Sequence, residues 1–232
     1  MSGRKSPKLP VALGVLAIAT IAAPAARALE PGLYFELSLG KSKFKDVDIA
    51  GLDGLTANFF ESYDLFVNSL DSTLDTKDRS YAITTGYRLN RYLAGEVSYY
   101  RLGAFHYSTQ GTVDDAGVNR PATFWFGYRT KGVAIGGTAT LPLGPAFELR
   151  ARGGISNTDT RIKYTATVED AEATEKASDS SQDFYYGVGV GMNFWTYYRI
   201  GVDWMKWKDM GKSSTTGSTD VDSLMFSFAY QY

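Results

Sequence analysis

The stretch GGTATLPLGPAFELRARGGIS, residues 136–156, decides the fold. On its near side Val133, Ile135, Ala139 and Leu141 alternate with Gly136, Thr138 and Thr140. On its far side Phe147, Leu149, Ala151 and Ile155 alternate with Glu148, Arg150 and Arg152. A period of two sends successive side chains to opposite faces of a strand. Two such runs joined by Pro-Leu-Gly-Pro-Ala (142–146) form a β-hairpin with one apolar and one charged face.

The same alternation recurs outward from this hairpin. It runs through 33–39, 81–89, 92–101, 186–194, 199–207 and 224–232, which with the two central runs makes eight strands. The connections alternate in length. Short ones fall at 90–91, 142–146 and 195–198; long polar ones fall at about 45–78, 103–124, 157–182 and 208–220. Short turns at one end and long loops at the other describe an up-and-down antiparallel barrel that crosses a membrane, with the N-terminus and short turns on the periplasmic side. No segment after the N-terminal leader approaches 18 consecutive apolar residues, so no transmembrane helix is expected there.

A soluble sandwich alternates in the same way. The polar face separates the two. It holds Glu36, Glu96, Glu148 and Asp203 against Arg88, Arg150, Arg152 and Arg199, four acids and four bases, among many glycines. An eight-stranded barrel has an interior just filled by side chains, so charges there must be paired. Glycines on that face leave room for the arginines.

Composition agrees. The 232 residues hold no cysteine and one histidine, which removes disulfide scaffolds, thiolate metal sites and cysteine nucleophiles. A net charge of −1 argues against a nucleic-acid binder. Aromatic residues reach 14%, with 16 Tyr, 13 Phe and 4 Trp, and are expected at outward positions and strand ends, as a lipid-facing belt. The first 28 residues read as a secretory signal peptide: Arg4, Lys5 and Lys8, then the apolar 9–26, then Ala26-Arg27-Ala28 as the cleavage site. Removing its four basic residues leaves 20 bases and 25 acids in 29–232, a net charge of −5.

The stretches RYLAGEVSYYRLG (91–103), GGTATLPLGPAFELRARGGIS (136–156) and VDSLMFSFAYQY (221–232) resemble the eight-stranded transmembrane domain of outer membrane protein A and its small relatives. The resemblance covers most of 32–232. It implies a monomeric barrel in the Gram-negative outer membrane, whose last strand is recognised by the barrel-assembly machinery. Leu224, Phe226, Phe228, Tyr230 and Tyr232 match that signal, with Tyr at the end where the family usually has Phe. The chain ends at the barrel, so the peptidoglycan-binding role of larger members is not expected.

Three other groups are candidate sites. The interior charges form either a structural plug or, by switching partners, the gate of a narrow low-conductance pore. Arg101, Arg129, Lys131, Arg161 and Lys163 lie on the outward phase of the third to fifth strands. Arg101 stands about ten residues from its periplasmic turn, on the order of 25 Å along a tilted strand, at the top of the apolar band. Lipopolysaccharide phosphates are the expected partner there, beside outer-membrane lipids. Leu52, Leu55, Phe59, Tyr63, Phe66 and Leu70 recur at helical spacing, which predicts a short helix from about 55 to 70 covering the barrel mouth.

His106 and Ser108 are set against a third possibility, a lipid A deacylase with a His-x-Ser pair. The pair sits too early in the chain for that family, and no Glu follows nearby, so catalysis is not expected. The acidic loops, Asp46 to Asp78 and Asp159 to Asp179, lack calcium-loop spacing and are expected to be solvated. The sequence therefore points to a structural or surface-interaction role with no cofactor, no metal and no nucleic acid.

Overall fold

A computed structural model of the chain describes residues 31–195, 197–212 and 217–232. The expected signal peptide, 1–28, lies outside them. The strands are β1 (Gly32–Phe44), β2 (Phe66–Asp75), β3 (Lys77–Arg88), β4 (Leu93–Asp115), β5 (Val118–Leu143), β6 (Phe147–Val168), β7 (Ala171–Phe194), β8 (Tyr198–Met210) and β9 (Thr219–Gln231). One helix, α1 (Ile49–Glu61), lies between β1 and β2.

All pairings are antiparallel, and eight strands close into a ring. The ring runs β1, β3, β4, β5, β6, β7, β8, β9 and returns to β1. Closure removes the sheet edges within the ring, which a strand bundle in hydrocarbon requires. β2 pairs with β4 directly beyond β3, with Thr76 between them, so β2 and β3 run as one long strand along β4. The eight predicted strands are the eight of the ring.

The outward face is apolar. Leu33, Phe35, Leu37 and Leu39 on β1 and Leu224, Phe226, Phe228 and Tyr230 on β9 are exposed, Phe226 at 65%. A contiguous apolar surface of this extent is buried in lipid rather than water. Within the ring its last members are Leu39 on β1, Tyr99 on β4, Val133 on β5, Ile155 on β6, Phe184 on β7, Trp204 on β8 and Leu224 on β9.

The barrel wall is lopsided. β1, β8 and β9 are 13 residues long, whereas β4, β5, β6 and β7 are 22 to 26. Segments 103–124 and 157–182, expected to be long loops, are mostly continuations of these strands. They close in tight hairpins at Ala116-Gly117 and Glu169-Asp170. Ala116 and Gly117 both have positive φ, 51° and 89°, the backbone of a type I′ turn. Beyond the ring, β2, β4, β5, β6 and β7 rise as an open five-stranded wall.

α1 starts six residues earlier than expected. Asp48 caps it by accepting from the Gly51 amide at 2.6 Å, and Leu52, Thr56 and Phe60 are its buried stripe. Its predicted C-terminal part, from Phe66 to Leu70, belongs to β2, because there the chain gains a ladder with β4. Phe59 and Phe60 lie against Phe124 of the wall, at 5.4 and 6.3 Å between ring centroids. Asp53, expected as a solvated loop acid, accepts from the hydroxyls of Tyr107 and Ser72.

A β-bulge decides what faces where on β4. Register slips between Arg101 and Gly103, and Gly103 takes φ +81°. Asp78 holds the bulge, accepting from the amides of Arg79 at 2.7 Å and Ala104 at 2.8 Å. Below the bulge, even-numbered Tyr100 and Leu102 point inward; above it, Phe105 and Tyr107 do. His106 and Ser108 are thereby turned outward.

Candidate functional site

The lower interior is built around one carboxylate. Glu36, on β1, is 2% exposed and accepts from three guanidiniums. Arg150 reaches it through Nη1 at 3.1 Å, Arg152 through Nη2 at 2.7 Å, and Arg199 through Nη2. Each arginine also meets a second acid. Arg150 Nη2 lies 2.7 Å from Asp203, Arg199 Nη1 lies 3.4 Å from Glu148, and Arg152 Nη2 lies 3.6 Å from Glu96. Tyr34 donates its hydroxyl to Glu96. The contributors come from β1, β4, β6 and β8, so the network spans the lumen.

Two glycines make the room it needs. A Cβ on Gly201 would fall 2.4 Å from Arg150 Nη2, and one on Gly86 would fall 2.4 Å from the Tyr34 ring. Arg88 departs from the expected pairing. It is buried, 4% exposed, yet it joins no ion pair among the described residues. It lines a small hollow at the short-turn end with Tyr34, Tyr197 and Arg199.

Above the charges the interior turns aromatic. Trp207 stacks between Tyr100 and Tyr185, at 4.1 and 4.9 Å, and Tyr100 shares a 2.7 Å hydrogen bond with Thr158. Phe44, Phe105 and Tyr128 form the next layer, and α1 closes over it. The expectation that the aromatic excess is a lipid-facing belt is therefore half right. Phe35, Phe184, Phe226 and Phe228 face out, but Tyr34, Tyr100, Tyr107, Tyr128, Tyr185, Phe105 and Trp207 are buried inside. Phe105, Tyr107 and Tyr128 give the extended wall its apolar inner face, while Tyr34, Tyr100, Tyr185 and Trp207 fill the ring itself beside and above the charges.

The basic cluster lies on the outer face, directly above the apolar band. Arg101 stands opposite Lys131, and Arg129 opposite Arg161, in neighbouring rows. Lys163 stands in the next row, opposite Lys176. Lys176 is absent from the cluster read from the sequence, although it shares the segment 157–182 with Arg161 and Lys163; its place is set by β7, which pairs it with Lys163. His106 and Trp125 join the group, with ring centroids 5.6 Å apart. No hydrogen bond links His106 to Ser108 among the described residues.

The opposite side of the rim is neutralised. Asp220, on β9, takes Lys206 at 3.0 Å and Lys208 at 2.8 Å, and Asp222 takes Lys45 at 3.2 Å. Partial burial pushes the Asp220 carboxyl up, but the two ammonium groups and the Asp209 amide outweigh it and hold the group at about 2, from the usual 3.8. A carboxyl lowered on folding stabilises fully above its unfolded value and loses that contribution as pH falls through the folded one. The β8–β9 tips are therefore expected to loosen between about pH 4 and about pH 2. Amide exchange at Met210 and Val221 measures this, and Asp220→Asn should flatten the dependence.

The family to which the chain is matched agrees with this architecture. A family model described as outer membrane protein beta-barrel domain matches residues 13–232. Among solved structures, the chain is similar to Neisserial surface protein A, at 10% identity over 87% of this chain and 97% of that one, TM-score 0.45. It is also similar to Ail, the attachment invasion locus protein of Yersinia pestis, at 12% identity over 88% and 100%, TM-score 0.45. A third is OprG of Pseudomonas aeruginosa, at 12% identity over 88% and 98%, TM-score 0.41. No curated protein matches the chain.

Proposed function

Because this chain belongs to the outer membrane protein beta-barrel domain family, we propose that it is a non-conducting barrel of the Gram-negative outer membrane whose role is structural or surface-interacting. The observation that carries this reading is the Glu36 network. Three guanidiniums and four carboxylates interlock across the lower lumen, and each of these arginines is tied to at least two acids. Opening a path would separate paired charges in a low-dielectric interior, which costs several kcal/mol per pair on the order expected for buried ions. The aromatic layer and α1 stand above the network as a second obstruction.

What remains for the molecule to act with is its outside. The open wall of β2, β4, β5, β6 and β7 rises beyond the membrane and offers a polar outer surface, exposed throughout 171–178. In this proposal the signal peptide delivers the chain to the periplasm, and Leu224, Phe226, Phe228, Tyr230 and Tyr232 present it to the barrel-assembly machinery. All five lie on the outward face of the final segment. No catalytic step is proposed.

A deletion strain tests the role. Loss of the protein should sensitise cells to detergents and large hydrophobic antibiotics, and the wild-type chain should restore resistance. Impaired uptake of small hydrophilic solutes, with resistance unchanged, would instead identify a pore.

A further inference from the structure

The outer rim carries rows of like charge that the protein itself offsets only in part. Arg101 and Lys131, Arg129 and Arg161, and Lys163 and Lys176 are each directly opposite across neighbouring strands, in three successive rows. Asp159 faces Lys131 from β6 in the first row, without an ion pair between them among the described residues, and no acid stands opposite a cation in the other two. Lys41 with Arg79 continues the pattern on β1 and β3, whereas Lys43, opposite Lys77, also faces Asp222 of β9. Like charges directly opposite destabilise a sheet. None of Arg101, Arg129, Lys131, Arg161, Lys163 and Lys176 has a carboxylate within ion-pair distance among the described residues. The lysines of β8, on the far side of the rim, are by contrast matched by Asp220.

The upper rows also enclose a shaped site. His106, Trp125, Arg129, Arg161, Lys163 and Lys176 line an outward hollow of about 460 Å³. The Trp125 indole lies along the strand over Gly127, where a Cβ would fall 2.5 Å from Cη2. Lys163 Nζ stands 5.6 Å from the indole centroid. A flat indole beside four cations fits a sugar ring bearing a phosphate. The ring stacks on the indole while the phosphate bridges opposed cations by charge-assisted hydrogen bonds. Position selects the source. The lowest pair, Arg101 and Lys131, adjoins Tyr99 and Val133, the last residues of the apolar band. Each further row is about 6.6 Å along the strand, so the three rows follow a phosphorylated glycolipid from its acyl boundary outward.

We propose that these stacked cation pairs bind lipopolysaccharide of the surrounding leaflet: Arg101 and Lys131 take a lipid A phosphate, and the hollow at Trp125 takes a phosphorylated inner-core sugar. The inference rests on the surface role proposed above and deepens it. The anion relieves the like-charge repulsion, so the ligand stabilises the folded barrel by mass action.

The full-length barrel, refolded into neutral-lipid vesicles with or without phosphorylated inner-core lipopolysaccharide, tests this through the midpoint of its heat-modifiable gel shift. Lipopolysaccharide should raise the midpoint by about 5 °C or more. The quadruple variant Arg129→Gln, Arg161→Gln, Lys163→Gln, Lys176→Gln should lose most of that rise while keeping or raising its midpoint in neutral lipid. Lys206→Gln with Lys208→Gln should keep the rise. Trp125→Ala should reduce the difference between core-bearing lipopolysaccharide and lipid A alone. An unchanged rise in the quadruple variant would overturn the proposal. So would an equal rise from phosphatidylglycerol at matched charge, which would mark a generic response to anionic lipid. The readout is independent of conductance, so failure here leaves the plugged lumen standing, and a conducting barrel leaves this site standing.

Discussion

Glu36→Ala is expected to be the most damaging single substitution in the barrel. The side chain holds Arg150, Arg152 and Arg199 at once, and all four side chains are more than nine-tenths buried in the lower lumen. Removing the acid leaves three guanidiniums facing one another with three carboxylates to share. Breaking a buried pair by deleting one partner costs about 3–5 kcal/mol, and here one deletion touches three pairs. Urea titration followed by the folded and unfolded gel bands should show the midpoint falling sharply. Arg88→Met gives the contrast. Arg88 joins no ion pair among the described residues, so exchanging it for an apolar side chain of similar length should leave the midpoint unchanged or raise it. Equal losses from the two substitutions would show that the pairing around Glu36 is not what supports the lumen.

Gly103→Val is expected to have the second largest effect. Gly103 has φ +81°, and a Cβ there would fall 2.6 Å from Asp78 Cβ and 2.7 Å from the Arg79 carbonyl oxygen. A β-branched residue meets both the backbone penalty and the clash, together about 3 kcal/mol or more. The larger consequence is directional. The bulge turns Phe105 and Tyr107 into the interior and His106 outward. Straightening it would reverse all three. A His106→Cys reporter should therefore react readily with a membrane-impermeant thiol reagent in the parent and poorly in the Gly103→Val background. Full reactivity with an unchanged urea midpoint would mean that the bulge does not need glycine.

That bulge also marks where sequence pattern stops being sufficient. Period-2 alternation placed the ring strands and their lipid face because one apolar side chain in two is enough to label a face. It also placed Glu36, Glu96, Glu148, Arg150, Arg152, Arg199 and Asp203 inward, because each lies on the short-turn side of any slip in its strand. Past Gly103 the phase of β4 reverses, and no periodic reading carries through such a slip. The strand extensions were hidden for a different reason. In 171–182 both faces of the wall are polar or small, so alternation in hydrophobicity disappears while the backbone ladder continues; on the partner strand Ile162, Tyr164, Ala166 and Val168 still alternate inward, a short run that the length of the polar segment masked. Ala116-Gly117 after Asp114 is a turn signal within 103–124, and it marks a two-residue hairpin rather than a loop. Leu70 fits the helical spacing begun at Leu52 and equally the alternation Leu70, Ser72, Leu74 that faces inward on β2. Only pairing with β4 decides between them. Lys176 was missed with its strand, although the five cations that were found share its face.

The central claim is that paired charges close the lumen. Single-channel recording of the refolded full-length barrel in a planar bilayer tests it most directly, at neutral pH and about 1 M salt, where screening lengths shrink to about 3 Å. The account predicts no stable conductance steps from the wild-type chain, and openings from Glu36→Ala when that variant inserts folded. Regular, long-lived steps from the wild-type barrel would contradict it.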